Sequence, residues 1–96
     1  MKRLARAKKR DANEPEIVKA LRDIGCEVEL LDDPLDLLVG YRGENFLIEV
    51  KGKDGKWTSA QEDFIPKWTG KLAVVRTPEQ AIGVVTGKYK GSKLIF

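Results

Sequence analysis

Apolar positions along the chain follow two periods. Over residues 11–25 (DANEPEIVKALRDIG), Ile17, Val18, Leu21 and Ile24 recur at steps of three and four, which predicts an amphipathic helix. Asn13 with Glu16 fits a capping box, Pro15 is tolerated in the first turn, and Gly25 supplies a stop. Residues 26–31 (CEVELL) alternate and predict a strand, closed by a turn at Asp32-Asp33-Pro34. Residues 35–41 (LDLLVGY) and 45–51 (NFLIEVK) predict two more strands, joined by a hairpin turn at Arg42-Gly43. After the loop KGKDGKW, Thr58 caps a second helix with Gln61 three residues later, and Pro66 kinks or ends it. Residues 71–75 (KLAVV) predict a fourth strand, and Thr77-Pro78 opens a short third helix. The closing TGKYKGSKLIF gives no single reading, and its KLIF is a candidate edge strand.

The order α-β-β-β-α-β-α predicts a mixed α/β domain over residues 11–96, with a central sheet flanked by helices. The passage from the third strand through a helix to the fourth suits a right-handed parallel crossover.

The hairpin turn sets a register. With Arg42 and Gly43 at the tip, Asp36 lies across from Glu49. Leu37, Val39, Phe46, Ile48 and Val50 then share one face, while Asp36, Glu49 and Lys51 share the other with Leu38 and Leu47. Like charges directly opposed are unfavourable, and a divalent cation is one compensation, since Mg²⁺ takes hard oxygen ligands from one or two carboxylates. Lys51 projects the same way, where it suits stabilising charge on an attacked phosphate or activating an attacking water. Two more polar residues occupy apolar stripes: Glu14 before Ile17 and Val18, and Gln61 among Ala60, Phe64, Ile65 and Trp68. Blander readings stand beside these. Glu49 and Lys51 can form an ion pair on an exposed edge strand; Glu14 can complement the helix dipole; Gln61 can be half of a capping box. Trp57, Trp68, Phe64 and Tyr41 read as core or rim packing ahead of base-stacking platforms.

Charge and composition narrow the chemistry. The first ten residues, MKRLARAKKR, hold six of the 18 Lys and Arg and no acid; the other 86 carry 12 basic against 15 acidic groups. The positive charge therefore belongs to an N-terminal arm, residues 1–10, which suits nucleic acid phosphates or simply a solubilising terminus. Lys8, Lys9 and Arg10, with Lys53 and Lys56 of the loop, are the candidate phosphate contacts. There is no histidine, so imidazole bases and His-bound metals are excluded. The lone Cys26 fits a reducing compartment, and no apolar run reaches the roughly 20 residues of a membrane span. A cytoplasmic location is expected.

Asp36, then Glu49-Val50-Lys51, on a hairpin that follows a helix bearing Glu14 and precedes a helix bearing Gln61, resembles the PD-(D/E)XK nuclease superfamily. Within it the segments NEPEIVKALRDIG, DLLVGYRGENFLIEVK and TSAQEDF look most like small phage-type VRR-NUC nucleases and Holliday junction resolvase-like nucleases. The likeness spans roughly residues 11–82. It departs from the usual pattern at Pro34-Leu35-Asp36, where the proline stands one residue further from the aspartate than is usual in the family.

The resemblance implies a restriction-endonuclease-like fold and a Mg²⁺- or Mn²⁺-dependent endodeoxyribonuclease, acting in a bacterium or as a phage protein in host cytoplasm. Asp36, Glu49 and the Val50 carbonyl would hold the metal, with Glu14 a further ligand. Lys51 would assist the attacking water, and Gln61 would support the site. DNA, branched DNA included, is the implied substrate. A 96-residue domain covers little duplex, so a homodimer cutting two strands makes physical sense, and KLIF suits its interface or the core equally. A non-catalytic nucleic-acid-binding module, gripping phosphates with the arm and the lysine loop, is the alternative.

Overall fold

The computed structural model describes residues 10–96, so Lys8, Lys9 and nearly all of the basic arm lie outside the described residues. Three helices and five strands follow in order. They are α1 (Glu14–Asp23), β1 (Glu27–Leu30), β2 (Leu37–Tyr41), β3 (Glu44–Val50), α2 (Ser59–Lys67), β4 (Leu72–Val75), α3 (Pro78–Val85) and β5 (Lys93–Ile95). The sheet runs β1-β2-β3-β4-β5, antiparallel through β3 and parallel from β3 to β5.

The hairpin register matches the sequence reading. Arg42 and Gly43 both have positive φ, 50° and 82°, the backbone that a two-residue turn of matching twist requires. Leu37 therefore pairs with Ile48 and Val39 with Phe46. One step beyond the ladder, Asp36 stands across from Glu49.

Each face of the sheet builds its own core. Leu37, Val39, Phe46, Ile48, Val50, Ala73 and Val75 pack under Ile17, Val18 and Leu21 of α1 and Ala81, Val84 and Val85 of α3. On the other face Leu35, Leu72 and Val74 pack with Ile65 of α2. Burial of this kind stabilises by about 25 cal/mol per Å² of apolar surface. Because α2 and α3 cover opposite faces while β3, β4 and β5 step in one direction, the two parallel crossovers have opposite hands. One is of the rare left-handed kind.

Several local expectations change. Asn13 makes no side-chain cap on α1; its amide reaches the sheet instead. Thr58 and Gln61 do form a reciprocal capping box on α2. That helix runs one residue past Pro66, and Ala60 and Trp68 turn outward, so its inward stripe reduces to Gln61, Ile65 and part of Phe64. KLIF does form an edge strand, with Leu94 and Phe96 packed on the core and Ile95 exposed. Among the described residues no helix is long and apolar enough to cross a membrane.

Candidate active site

Five polar or charged side chains are buried among the described residues: Glu14, Asp36, Glu49, Lys51 and Gln61. These are the five side chains that the sequence singles out for catalysis or metal binding. A buried charge is costly unless paired and hydrogen-bonded, and replacing such pairs by apolar residues often leaves stability unchanged or raises it. The burial of five such groups is therefore poorly explained by stability alone.

Alternation along β3 places Glu49 and Lys51 on the α2 side, in line with Leu47. Gln61 reaches down from the first turn of α2 between them. Its Nε2 donates to Glu49 Oε2 at 2.7 Å, and its Oε1 accepts from Lys51 Nζ at 2.9 Å. Lys51 Nζ also donates to the Lys56 carbonyl at 2.5 Å and stands 3.5 Å from Glu49 Oε2. The indole of Trp57 lies over the same ammonium, 4.8 Å from ring centroid to Nζ. Asp36 Oδ2 accepts from the Val50 N–H at 2.8 Å, which ties the strand carrying the aspartate to the one carrying the glutamate.

The displaced proline finds a role. Gln61 Nε2 also approaches the Pro34 carbonyl, at 3.4 Å. Leu35, the extra residue between Pro34 and Asp36, is fully buried under α2. It plugs the second core while Asp36 keeps its place opposite Glu49.

Glu14 sits in the first turn of α1, where Arg10 Nη1 bonds its Oε2 at 2.9 Å. Arg10 also donates to the Leu31 carbonyl at 2.7 Å and approaches the Asp36 carbonyl at 3.4 Å. Arg10, expected as a phosphate contact, is thus largely engaged within the molecule. Lys53 and Lys56 are exposed on the loop, as phosphate contacts require.

Two residues hold the site in place: Asn13, read from the sequence as a helix cap, and Arg76, which the sequence reading passed over. Asn13 Nδ2 bonds the carbonyls of Lys51 and Arg76 at 3.1 and 2.8 Å, fastening the start of α1 to the ends of β3 and β4. Arg76 Nη1 bonds the Gly52 carbonyl at 2.7 Å, and its Nε bonds the Phe96 carbonyl at 3.1 Å. Gly55 matters sterically: a Cβ there would lie 2.9 Å from Lys51 Cδ, so the loop lies directly on the lysine stem.

Among the described residues no group of three or more acidic, cysteine or histidine side chains is gathered to hold a metal. The donor set nonetheless suits Mg²⁺ or Mn²⁺, which need only one or two carboxylates, a carbonyl, waters and phosphate. Asp36 and Glu49, opposed across the hairpin, are carboxylates of that kind. Compared with protein-family models, curated proteins and solved structures, the chain matches none.

Proposed function

We propose that this chain is a divalent-metal-dependent endonuclease of the PD-(D/E)XK kind, with a restriction-endonuclease-like core, that hydrolyses DNA phosphodiesters. The observation that carries the reading is the burial of Asp36, Glu49, Lys51 and Gln61 at one end of the sheet, with the Lys51 ammonium 3.5 Å from the Glu49 carboxylate.

Asp36, Glu49 and the Val50 carbonyl would hold Mg²⁺ or Mn²⁺. The ion would orient the scissile phosphate and raise the acidity of an attacking water. Lys51 would stabilise negative charge as it develops on the phosphate. Gln61 fixes both partners by holding Glu49 and Lys51 at once. The Lys56 carbonyl is the partner that Lys51 can exchange, because it belongs to the exposed loop. Glu14, paired with Arg10, acts at the edge of this set. The substrate would be DNA, branched DNA included, and two copies of the chain would cut two strands in the cytoplasm.

The non-catalytic binding module is favoured by one observation. Glu49 Oε2 accepts from Gln61 and faces Lys51 at 3.5 Å, contacts that a purely structural ion pair also makes. Incubation with plasmid and with a synthetic four-way junction, in Mn²⁺, Mg²⁺ or EDTA, separates the two. Cutting that needs metal and is abolished by Asp36→Asn, Glu49→Gln and Lys51→Ala supports the nuclease. Binding without cutting in every metal supports the module.

A further inference from the structure

Beside the carboxylate–lysine cluster lies an open groove of about 410 Å³, lined by Trp57, Gln61, Glu62, Ile65, Pro66 and Ile95. We propose that it is a slot for an unpaired nucleobase next to the scissile phosphate, so that the substrate class is DNA with an unstacked nucleotide at the cut: single strands, flaps, gaps or branch points. This inference rests on the nuclease reading for the position of the phosphate.

Three observations point to a base. First, the walls are an indole and aliphatic surfaces. Trp57 is 40% exposed and Ile95 54%, two of the largest apolar side chains left open to water. Aromatic stacking accepts any base, because every base has a π-face. Second, the floor is Gln61, whose amide holds Glu49 and Lys51. A ring stacked on Trp57 is thus one side chain away from the groups that would act on its phosphate. The same indole lies over the Lys51 ammonium, so one ring spans slot and site. Third, the segments that supply the walls also carry cations. Lys53 and Lys56 precede Trp57 on the exposed loop, and Lys93 of β5 bonds the Pro66 carbonyl at 3.2 Å. An apolar peptide would leave these charges unexplained, whereas a strand with bases and phosphates uses both. A paired, stacked base cannot enter without being extruded, at a cost of a few kcal/mol.

The test measures binding in EDTA, apart from cutting. Anisotropy titrations compare a labelled single-stranded oligodeoxynucleotide, the same strand with abasic sites, and its duplex, for the full chain and its Trp57→Ala, Trp57→Phe and Ile95→Ser variants. The wild type is expected to prefer the intact single strand. Trp57→Ala should weaken single-strand binding by about 5- to 150-fold and duplex or abasic binding hardly at all, and Trp57→Phe should recover most of the loss. Ile95→Ser, at an exposed site, should weaken the same strand with the fold untouched. The slot is overturned if no preference for the intact single strand exists, if Trp57→Ala weakens all ligands alike, or if Trp57→Ala instead dissolves a dimer seated on the groove. Parallel incubation in Mn²⁺ separates the two claims. Single-strand preference without cutting keeps the slot and sinks the nuclease; cutting without that preference does the reverse.

Discussion

Replacing Gln61 by Ala should destabilise the domain out of proportion to the side chain's size. The Gln61 side chain makes four hydrogen bonds: to Lys51, Glu49, Pro34 and the Thr58 N–H. The Thr58 bond lies at a helix end that water reaches, and the Pro34 bond is long. The other two join buried charges, where each bond is worth about 1.5–3 kcal/mol. Lys51 and Glu49, already 3.5 Å apart, can close on each other and recover part of the loss. The net expectation is about 3 kcal/mol, or a fall in Tm of roughly 12–24 °C for a domain of this size. Urea denaturation of the single variant, and of Gln61→Ala in a Lys51→Met background, measures it. The second background should shrink the cost of the Gln61 change by about 1 kcal/mol or more, because one of the two charged partners is gone. A cost below about 1 kcal/mol, or an equal cost in both backgrounds, would refute the idea of one coupled network.

Other outcomes follow from single contacts. Asp36→Asn keeps an acceptor for the Val50 N–H, so its melting temperature should stay within a few degrees of wild type while metal-dependent cutting disappears; Asp36→Ala should lose about 1–3 kcal/mol by thermal melting as well. Gly55→Ala puts a Cβ 2.9 Å from Lys51 Cδ and should lower the cutting rate more than tenfold with secondary structure unchanged by circular dichroism; an undiminished rate would show that the loop does not position Lys51. Burial pushes the Cys26 thiol above its ordinary pKa, so it stays protonated in the folded state where a free thiol begins to ionise. A disulfide reagent should therefore label it slowly until denaturant is added, and the stability from this thiol, complete below its unfolded pKa, should fade as pH rises through the folded one.

The parts of this molecule that local rules govern were legible in its sequence. Arg42-Gly43 fixes the β2–β3 register, and the register alone separates Ile48 and Val50 from Glu49 and Lys51. The Thr58–Gln61 box was legible for the same reason, since three residues of spacing decide it. What escaped depends on partners distant in the chain. Asn13 has the chemistry of a cap, and only the nearness of the Lys51 and Arg76 carbonyls turns it into a clamp. Arg76 gives no signal of its own, because its acceptors are backbone carbonyls of Gly52 and Phe96. Arg10 reads as one more charge in a basic run until its contacts with Glu14 and the Leu31 carbonyl are known. The exposed Ala60 and Trp68 escaped because α2 packs chiefly through Ile65 and ends beside Pro66, too short to hold a full stripe.

The central claim is that Glu49 serves a metal-dependent hydrolysis and not merely the packing of Gln61 and Lys51. Single-turnover cutting of a four-way junction in Mn²⁺, by the wild type and by folded Glu49→Gln side by side, tests it most directly. The account predicts strand cleavage by the wild type that EDTA stops, and none by the variant. Equal cleavage by both, or none by the wild type in any divalent metal, would contradict it.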